Sequence, residues 1–290
     1  MNKQRRADLL LVMTTFFWGA SYYLTDICLA DLPPMTLNAF RFIVAFLVLG
    51  LIFWKHVVHI NRTTLCYSLI VGLALAGTYV AYNYGITRTS LSNAAFICAL
   101  QVIFAPLLGF LFFRQRPGWK LGVALVVCTV GMALLTLNGE LRPASGDLIC
   151  LITPLCYAVD LLITEKAVRD PRGLGVWQLA VVGIVTLALA LVLGEPVHLP
   201  TSGKTWAAAL FLGIFCSGVA FVIQSVQQQY TTASHVGLIF TLEPVFASMV
   251  AFVMTGEVLS LRGYIGAALM LLSLFIMEGD WSLLGRKKRV

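Results

Sequence analysis

The chain has 290 residues, of which 59% are apolar and 11% charged, against roughly 25% charged in soluble domains. That balance excludes a water-soluble enzyme and a disordered polar chain, and it makes lipid the solvent for most of the surface. The net charge of +7 invites a nucleic-acid partner, but the cations sort along the chain as membrane topology requires, so none is expected.

A helix that crosses a bilayer takes about 20 residues. Ten apolar windows of that scale follow one another, at roughly 8–28, 37–54, 65–86, 91–113, 119–137, 147–165, 175–193, 206–228, 233–254 and 262–279. The connections are short, which leaves no room for a separate soluble domain. The basic start before the first window has the pattern of a signal peptide; the length of the window, its polar residues and a counterpart in mid-chain argue for a retained helix. With the N-terminus in the cytoplasm, fifteen Lys and Arg fall inside and five (Arg41, Arg88, Arg142, Lys204 and Arg262) outside. The positive-inside rule is thus obeyed, with both termini on the cytoplasmic side of the inner membrane.

The first window carries a polar stripe, Thr14, Trp18, Ser21 and Thr25, whose 4, 3, 4 spacing lines one face of a helix. The sixth repeats it 139 residues later as Thr153, Tyr157, Asp160 and Thr164. The same offset pairs Asp8 with Asp147, and an offset of 142 pairs Ser92-Asn93 with Ser234-His235, Gln101 with Glu243, and Gln115 with Glu257. The expected architecture is therefore all-α: two repeats, residues 1–138 and 139–290, of five transmembrane helices each. An odd number of spans inverts the second repeat, a plan in which transporters bind substrate near the midplane and rock about it.

Asp160 is the foremost candidate, because a carboxylate at the centre of a span costs on the order of 3 kcal/mol on insertion scales. Counter-ion to a cationic substrate, proton carrier and structural ion-pair partner all stay open for it. Glu243 precedes Pro244 and serves either substrate and protons or the backbone carbonyl that proline frees. In a continuous helix His235 and Glu243 share a face, about 12 Å apart in level. His235 near its helix start is a pH-sensitive gate or an interfacial histidine. Arg41, at the outer part of the second window, either snorkels to headgroups or faces a vestibule as a gate that attracts carboxylate-bearing substrates, which would suit a zwitterion if Asp160 took the amine.

Trp18, Tyr22, Tyr79, Tyr82, Tyr84 and Tyr157 belong to interfacial belts or to a cavity. Trp18 and Tyr157 hold equivalent stripe positions and are expected on opposite walls, where rings beside Asp160 would hold an organic cation or an apolar side chain. Ser21, Asn83, Gln101, Ser217, Gln224 and Gln228 supply neutral polar groups, as cavity lining or as interhelical hydrogen bonds. The expected cavity is formed by helices 1, 3, 4, 6, 8 and 9. The pairs Gly72/Gly77, Gly213/Gly218 and Gly263/Gly266 read as close-packing points. Seven scattered cysteines without a Cys-x-x-Cys pair read as small apolar fillers, so neither metal nor cofactor is expected.

Several segments together resemble the drug/metabolite transporter superfamily, in its ten-helix form built from two EamA-type repeats. They are Trp18-Gly19, Pro33-Pro34 with Arg41-Phe42, Thr87-Arg88-Thr89-Ser90, Thr231-Thr232-Ala233-Ser234, Leu242-Glu243-Pro244-Val245-Phe246, Gly256-Glu257, and Gly263 with Gly266. The first repeat departs from the pattern at Gln101-Val102 and Arg114-Gln115, and the seventh window holds no partner for Arg41. The resemblance implies that Glu243 recurs in relatives, and it leans toward efflux. The expected function is secondary transport of a small metabolite (amino acid, amine or organic cation) by alternating access, coupled to protons through Asp160 or Glu243. An intramembrane enzyme using Asp160, His235 and Glu243 is the rival, and a passive channel the third reading. No Gly-rich loop meets a Lys-Ser/Thr, which argues against ATP drive. One chain holds both halves, so a monomer is expected to suffice and a homodimer stays open.

Overall fold

The computed structural model describes residues 3–86, 88–89, 96–114, 118–137, 145–167, 169–256 and 258–278. The repeat partners Ser92, Asn93, Gln115 and Glu257, and Thr87 and Ser90 of one motif, lie outside the described residues. Among those described there is helix and no strand. The long stretches are α1 (Lys3–Leu29), α2 (Pro34–Ile52), α3 (Arg62–Ile86), α4 (Phe96–Phe113), α5 (Trp119–Thr136), α6 (Ser145–Lys166), α7 (Pro171–Val192), α8 (Gly203–Tyr230), α9 (Ala233–Thr255) and α10 (Leu261–Glu278). Eight of them, α2 to α9, are long and apolar enough to cross a membrane. The basic start and polar stripe dilute α1, and the apolar run of α10, Leu261–Met277, is shorter than a typical span.

Local chemistry sets the ends. Pro34 opens α2 with its fixed φ, and the Glu195 carboxylate accepts from the free amides of Met35 and Thr36 at 3.0 and 3.2 Å. Asp170 accepts from Gly173 N to cap α7, Ser202 from Thr205 N to cap α8, and Thr232 from His235 N to cap α9. Prolines also interrupt interiors. Pro154 has no amide for the Cys150 carbonyl and α6 breaks at Leu151; Pro244 has none for Phe240, and α9 breaks at Thr241 and Leu242. α8 widens into a π-helix over Leu212–Val219. Irregular backbone at membrane depth survives only inside protein or against water, so these breaks mark the interior.

Contacts between termini define two ends of the bundle. At the basic end, the start of α1 meets the start of α9 (Asp8 and His235), the end of α6 meets the link from α8 to α9, and the end of α4 meets the end of α6 (Phe113 under Lys166). There too the residues after α2 meet the start of α7, with His56 3.0 Å from Asp170. At the far end Asp31 ties the α1–α2 link to Thr201 before α8, Glu195 after α7 caps α2, and Thr89 after α3 bonds Asp147 of α6.

The main core draws on α1, α2, α3, α4, α6, α7, α8 and α9, from Leu11 and Trp18 through Phe42 and Leu75 to Phe221 and Phe240. α5 and α10 stand beside it as a pair. They approach so closely that a Cβ on Gly266 would lie 2.5 Å from the Gly131 carbonyl oxygen. Gly19 likewise admits the backbone of α9 at Phe246 and Ala247, and Gly72 and Gly218 admit Val181 and Leu49. Gly263 departs from its expected role, since a Cβ there would meet no atom nearer than 3.3 Å.

Two outcomes are expected. Gly266→Leu should destabilise the detergent-purified protein by about 2 kcal/mol through overpacking, whereas Gly122→Ala, inside a helix and with nothing within 4 Å, should not lower the melting temperature. The Thr201 amide and hydroxyl, each 2.8 Å from Asp31, hold that carboxyl below its ordinary value of 3.8. A depressed carboxyl stabilises above its unfolded pKa and loses that contribution as pH falls through the folded one. The melting-temperature gap between wild type and Asp31→Asn should therefore be present at neutral pH and vanish in strong acid.

Candidate functional site

The second polar stripe and the later part of α8 face each other and tie up. Gln224 donates from Nε2 to Asp160 Oδ1 at 2.9 Å, and the Tyr157 hydroxyl donates to Gln224 Oε1 at 3.1 Å. One helical turn on, Gln228 donates to the carbonyl of Leu161, and Gln229 to that of Thr164 at 3.1 Å. Asp160 is wholly buried, and its Oδ2 finds no hydrogen-bond partner among the described residues. No Lys, Arg or His comes within ion-pair distance of it there, so the structural ion pair weighed from sequence does not form. A buried carboxyl oxygen without a donor is costly, which makes this a place for a ligand cation or a proton.

Trp18 and Tyr157 do not face each other across open space. Their rings meet edge-on at 6.1 Å, and Trp18 also packs on Phe221 at 5.2 Å and Phe240 at 4.7 Å. Its indole N–H donates to the carbonyl of Cys216 at 2.9 Å, inside the π-helical stretch of α8. The four rings form a partition across the bundle immediately beside Asp160. Phe221 and Phe240 were not singled out from sequence, because in a chain so rich in apolar residues nothing separates them from packing aromatics.

On the other side of the partition a second group gathers. Tyr22 lies beside the Glu243 carboxyl, with Tyr82 and Cys98 in electrostatic range of both and Tyr79 in range of Glu243. These side chains stay partly accessible, Tyr22 at 45%, although protein surrounds them. Ser21, Asn83 and Gln101 are half-buried on α1, α3 and α4, with Ser21 bonded back to the carbonyl of Trp18. Arg41 does not snorkel. It is 4% exposed, donates from Nε to Ser217 Oγ at 2.8 Å, and lies over the rings of Phe42 and Tyr79.

His235 stands apart from Asp160 and Glu243. Its Nε2 lies 3.2 Å from Asp8 Oδ1, both side chains nearly buried, so α1 and α9 are latched at the basic end. Glu165 adds a bond to the Ala233 amide at 2.7 Å. The break at Thr241 and Leu242 interrupts the periodicity on which a shared face for His235 and Glu243 depended. The Asp8 latch was missed from sequence, where Asp8 stood out only as the repeat partner of Asp147.

Comparison with known proteins agrees on one kind of activity. The profile of the EamA-like transporter family matches residues 5–137 and again 144–278. A protein of Methanothermobacter thermautotrophicus named an uncharacterized transporter is 26% identical, over 92% of this chain and 84% of its own length. One of Archaeoglobus fulgidus, named likewise, is 24% identical over 95% and 87%. A solved structure, described only as the crystal structure of a protein, superposes with a TM-score of 0.82 over 99% of both chains at 18% identity, a likeness of fold.

Gln224→Leu should lower stability by about 2 kcal/mol, because Asp160 Oδ1 loses its donor while staying buried. In an Asp160→Asn background the same change should cost less, and a double-mutant cycle read from unfolding in detergent should give coupling of about 1–3 kcal/mol. Additive effects would show that the bond carries no stability.

Proposed function

Since this chain belongs to the EamA-like transporter family, we propose that it is a secondary transporter whose substrate carries a positive charge, held at Asp160. The observation that carries this reading is the wholly buried, unpartnered Oδ2 of Asp160 beside the ring partition. An ammonium placed there gains a counter-ion and ring faces, with cation–π attraction worth about 1–2 kcal/mol once water is gone. Gln224 and Tyr157 hold the carboxyl in position, and the apolar rings accept the body of the substrate.

Alternating access is the proposed mechanism. The half-accessible group of Tyr22, Tyr79, Tyr82 and Glu243 lies on one side of the partition, while Asp8, His235 and Glu165 close the basic end on the other. Movement requires the partition to part and the latch to break, with the far end closing in return. An inverted repeat suits that exchange. In support of it, α1 starts at the basic end and α6 at the far end, and the contacts of the termini give α2, α3 and α4 directions opposite to α7, α8 and α9. Asp8 meets the start of α9 as Asp147 meets the link from α3 to α4, the corresponding place in the other repeat. The positive-inside rule favours a cytoplasmic position for the basic end, where α1 starts.

A proton at Asp160 competes with a cation for the same oxygen, which couples the two without further machinery; Glu243 is the second carboxyl able to serve. The family resemblance leans toward efflux. The enzyme reading loses its constellation, because His235 is engaged by Asp8 while Asp160 is held by Gln224. A passive channel is disfavoured by the rings that close the path.

The test is counterflow in proteoliposomes with a panel of primary and quaternary amines, at several pH values. Wild type should show saturable exchange that weakens in acid, and Asp160→Asn should lose most of it, at least about tenfold, while folding normally. Equal exchange by Asp160→Asn with unchanged pH dependence would remove Asp160 from both binding and coupling.

A further inference from the structure

We propose that the basic end carries a binding site for the phosphate of an anionic phospholipid, seated between the link from α2 to α3, the start of α7 and the end of α8. The site goes beyond the transport reading and does not depend on it. Two clefts of about 460 and 290 Å³ open there and share Arg169 as a wall. His56, Arg172 and Tyr230 line the larger, and Lys166 and Thr63 the smaller. Among the described residues Asp170 is the one acid lining either cleft, and it is already engaged: its Oδ1 accepts from the Gly173 amide at 3.0 Å and stands 3.0 Å from His56 Nδ1. No carboxylate there lies within ion-pair distance of Arg169 or Arg172.

The plainer account is that these cations only mark one side of the membrane, as Lys and Arg do near span ends generally. Topology does not ask, however, that two arginines line one cleft or that they flank a helix start. Arg169 comes just before α7 and Arg172 falls in its first turn, where aligned peptide dipoles place partial positive charge and disfavour a cation. An anion in the cleft reverses that balance, meeting two guanidinium forks suited to phosphate oxygens. The geometry is also held. Trp177 of α7 donates its indole N–H to the Val57 carbonyl at 3.4 Å and so ties the short helix Trp54–Val58, which contributes His56, against α7.

The surroundings select a lipid as the source of the phosphate. That short helix has no buried residue; Trp54 and Val58 lie exposed on it, as do Leu51 and Ile52 before it, and Tyr230 is half exposed. Aromatic residues among apolar ones at a span end sit at headgroup level. The cleft therefore opens where lipid phosphates already lie, at a local concentration no dissolved ester matches, and basic pockets between helices at this depth take anionic headgroups.

The test measures unfolding temperatures in an uncharged detergent with added phosphatidylglycerol or phosphatidylcholine, while native mass spectrometry counts the lipids retained. Wild type should melt several degrees higher with phosphatidylglycerol, and the gain should shrink at high salt. Arg169→Gln combined with Arg172→Gln should lose most of the gain and the retained phosphatidylglycerol, yet melt like wild type in phosphatidylcholine. Arg172→Gln alone should lose part of it, and serves if the double variant fails to fold. Arg5→Gln with Arg6→Gln removes as much charge from the exposed start of α1 at the same end and should keep the gain. Equal melting with the two lipids, or a gain that survives loss of Arg169 and Arg172, overturns the site. A gain that the Arg5 and Arg6 changes remove as fully also overturns it, because diffuse charge then suffices. Inorganic phosphate or glycerol 3-phosphate reproducing the gain at millimolar concentration overturns the lipid as occupant in favour of a dissolved anion.

Discussion

Everything at the centre of this molecule depends on one buried carboxyl. Asp160 sits in a bundle whose solvent is lipid, so the structure around it is organised to supply hydrogen bonds that water would otherwise provide. Gln224 gives one, and Tyr157 holds Gln224 in turn. That chain of two bonds joins α6 to α8 and fixes the ring of Tyr157 against Trp18 of α1. The oxygen left without a donor is the part of the network not committed to the fold.

The helices are interrupted where this network and its surroundings need room. α6 and α9 break around Pro154 and Pro244, and α8 carries a π-helical stretch whose Cys216 carbonyl receives the Trp18 indole. Such breaks free carbonyls at membrane depth, and they hold only because neighbouring helices enclose them. Regular helices, by contrast, pack through glycine. The approach of Gly131 to Gly266 builds α5 and α10 into a separate pair beside the main core, which the other eight helices form. Arg41 and Asp160 are both sealed in protein, at opposite ends of a continuous run of aromatic rings.

Much of this was legible in the residues. Composition and window length required a helical membrane protein, and the duplicated stripe pointed to Trp18, Tyr157 and Asp160 before any contact was known. The stripe could be read because helical periodicity is local: four residues at 4, 3, 4 spacing share a face whatever surrounds them. A shared face for His235 and Glu243 is a related case. It assumed an unbroken helix, and the break beside Pro244 removed the periodicity on which it rested. Arg41 is a third case. Its depth was readable, but whether a long cationic side chain reaches out to headgroups or inward is decided by Ser217 and Tyr79, which are 176 and 38 positions away.

By itself, then, the sequence determined the solvent, the helical class and the family resemblance, since each depends on residue type and short spacing; of its ten expected spans, eight are long and apolar enough among the described residues. It also determined that a carboxyl would lie deep in α6. Only the tertiary structure decided what that carboxyl meets, that Trp18 and Tyr157 touch rather than face each other across a space, and that Asp8 latches His235. Those contacts join residues 64, 139 and 227 positions apart. Partners at such separations are selected by how whole helices pack, and in a chain with so many interchangeable apolar residues no local pattern encodes that choice.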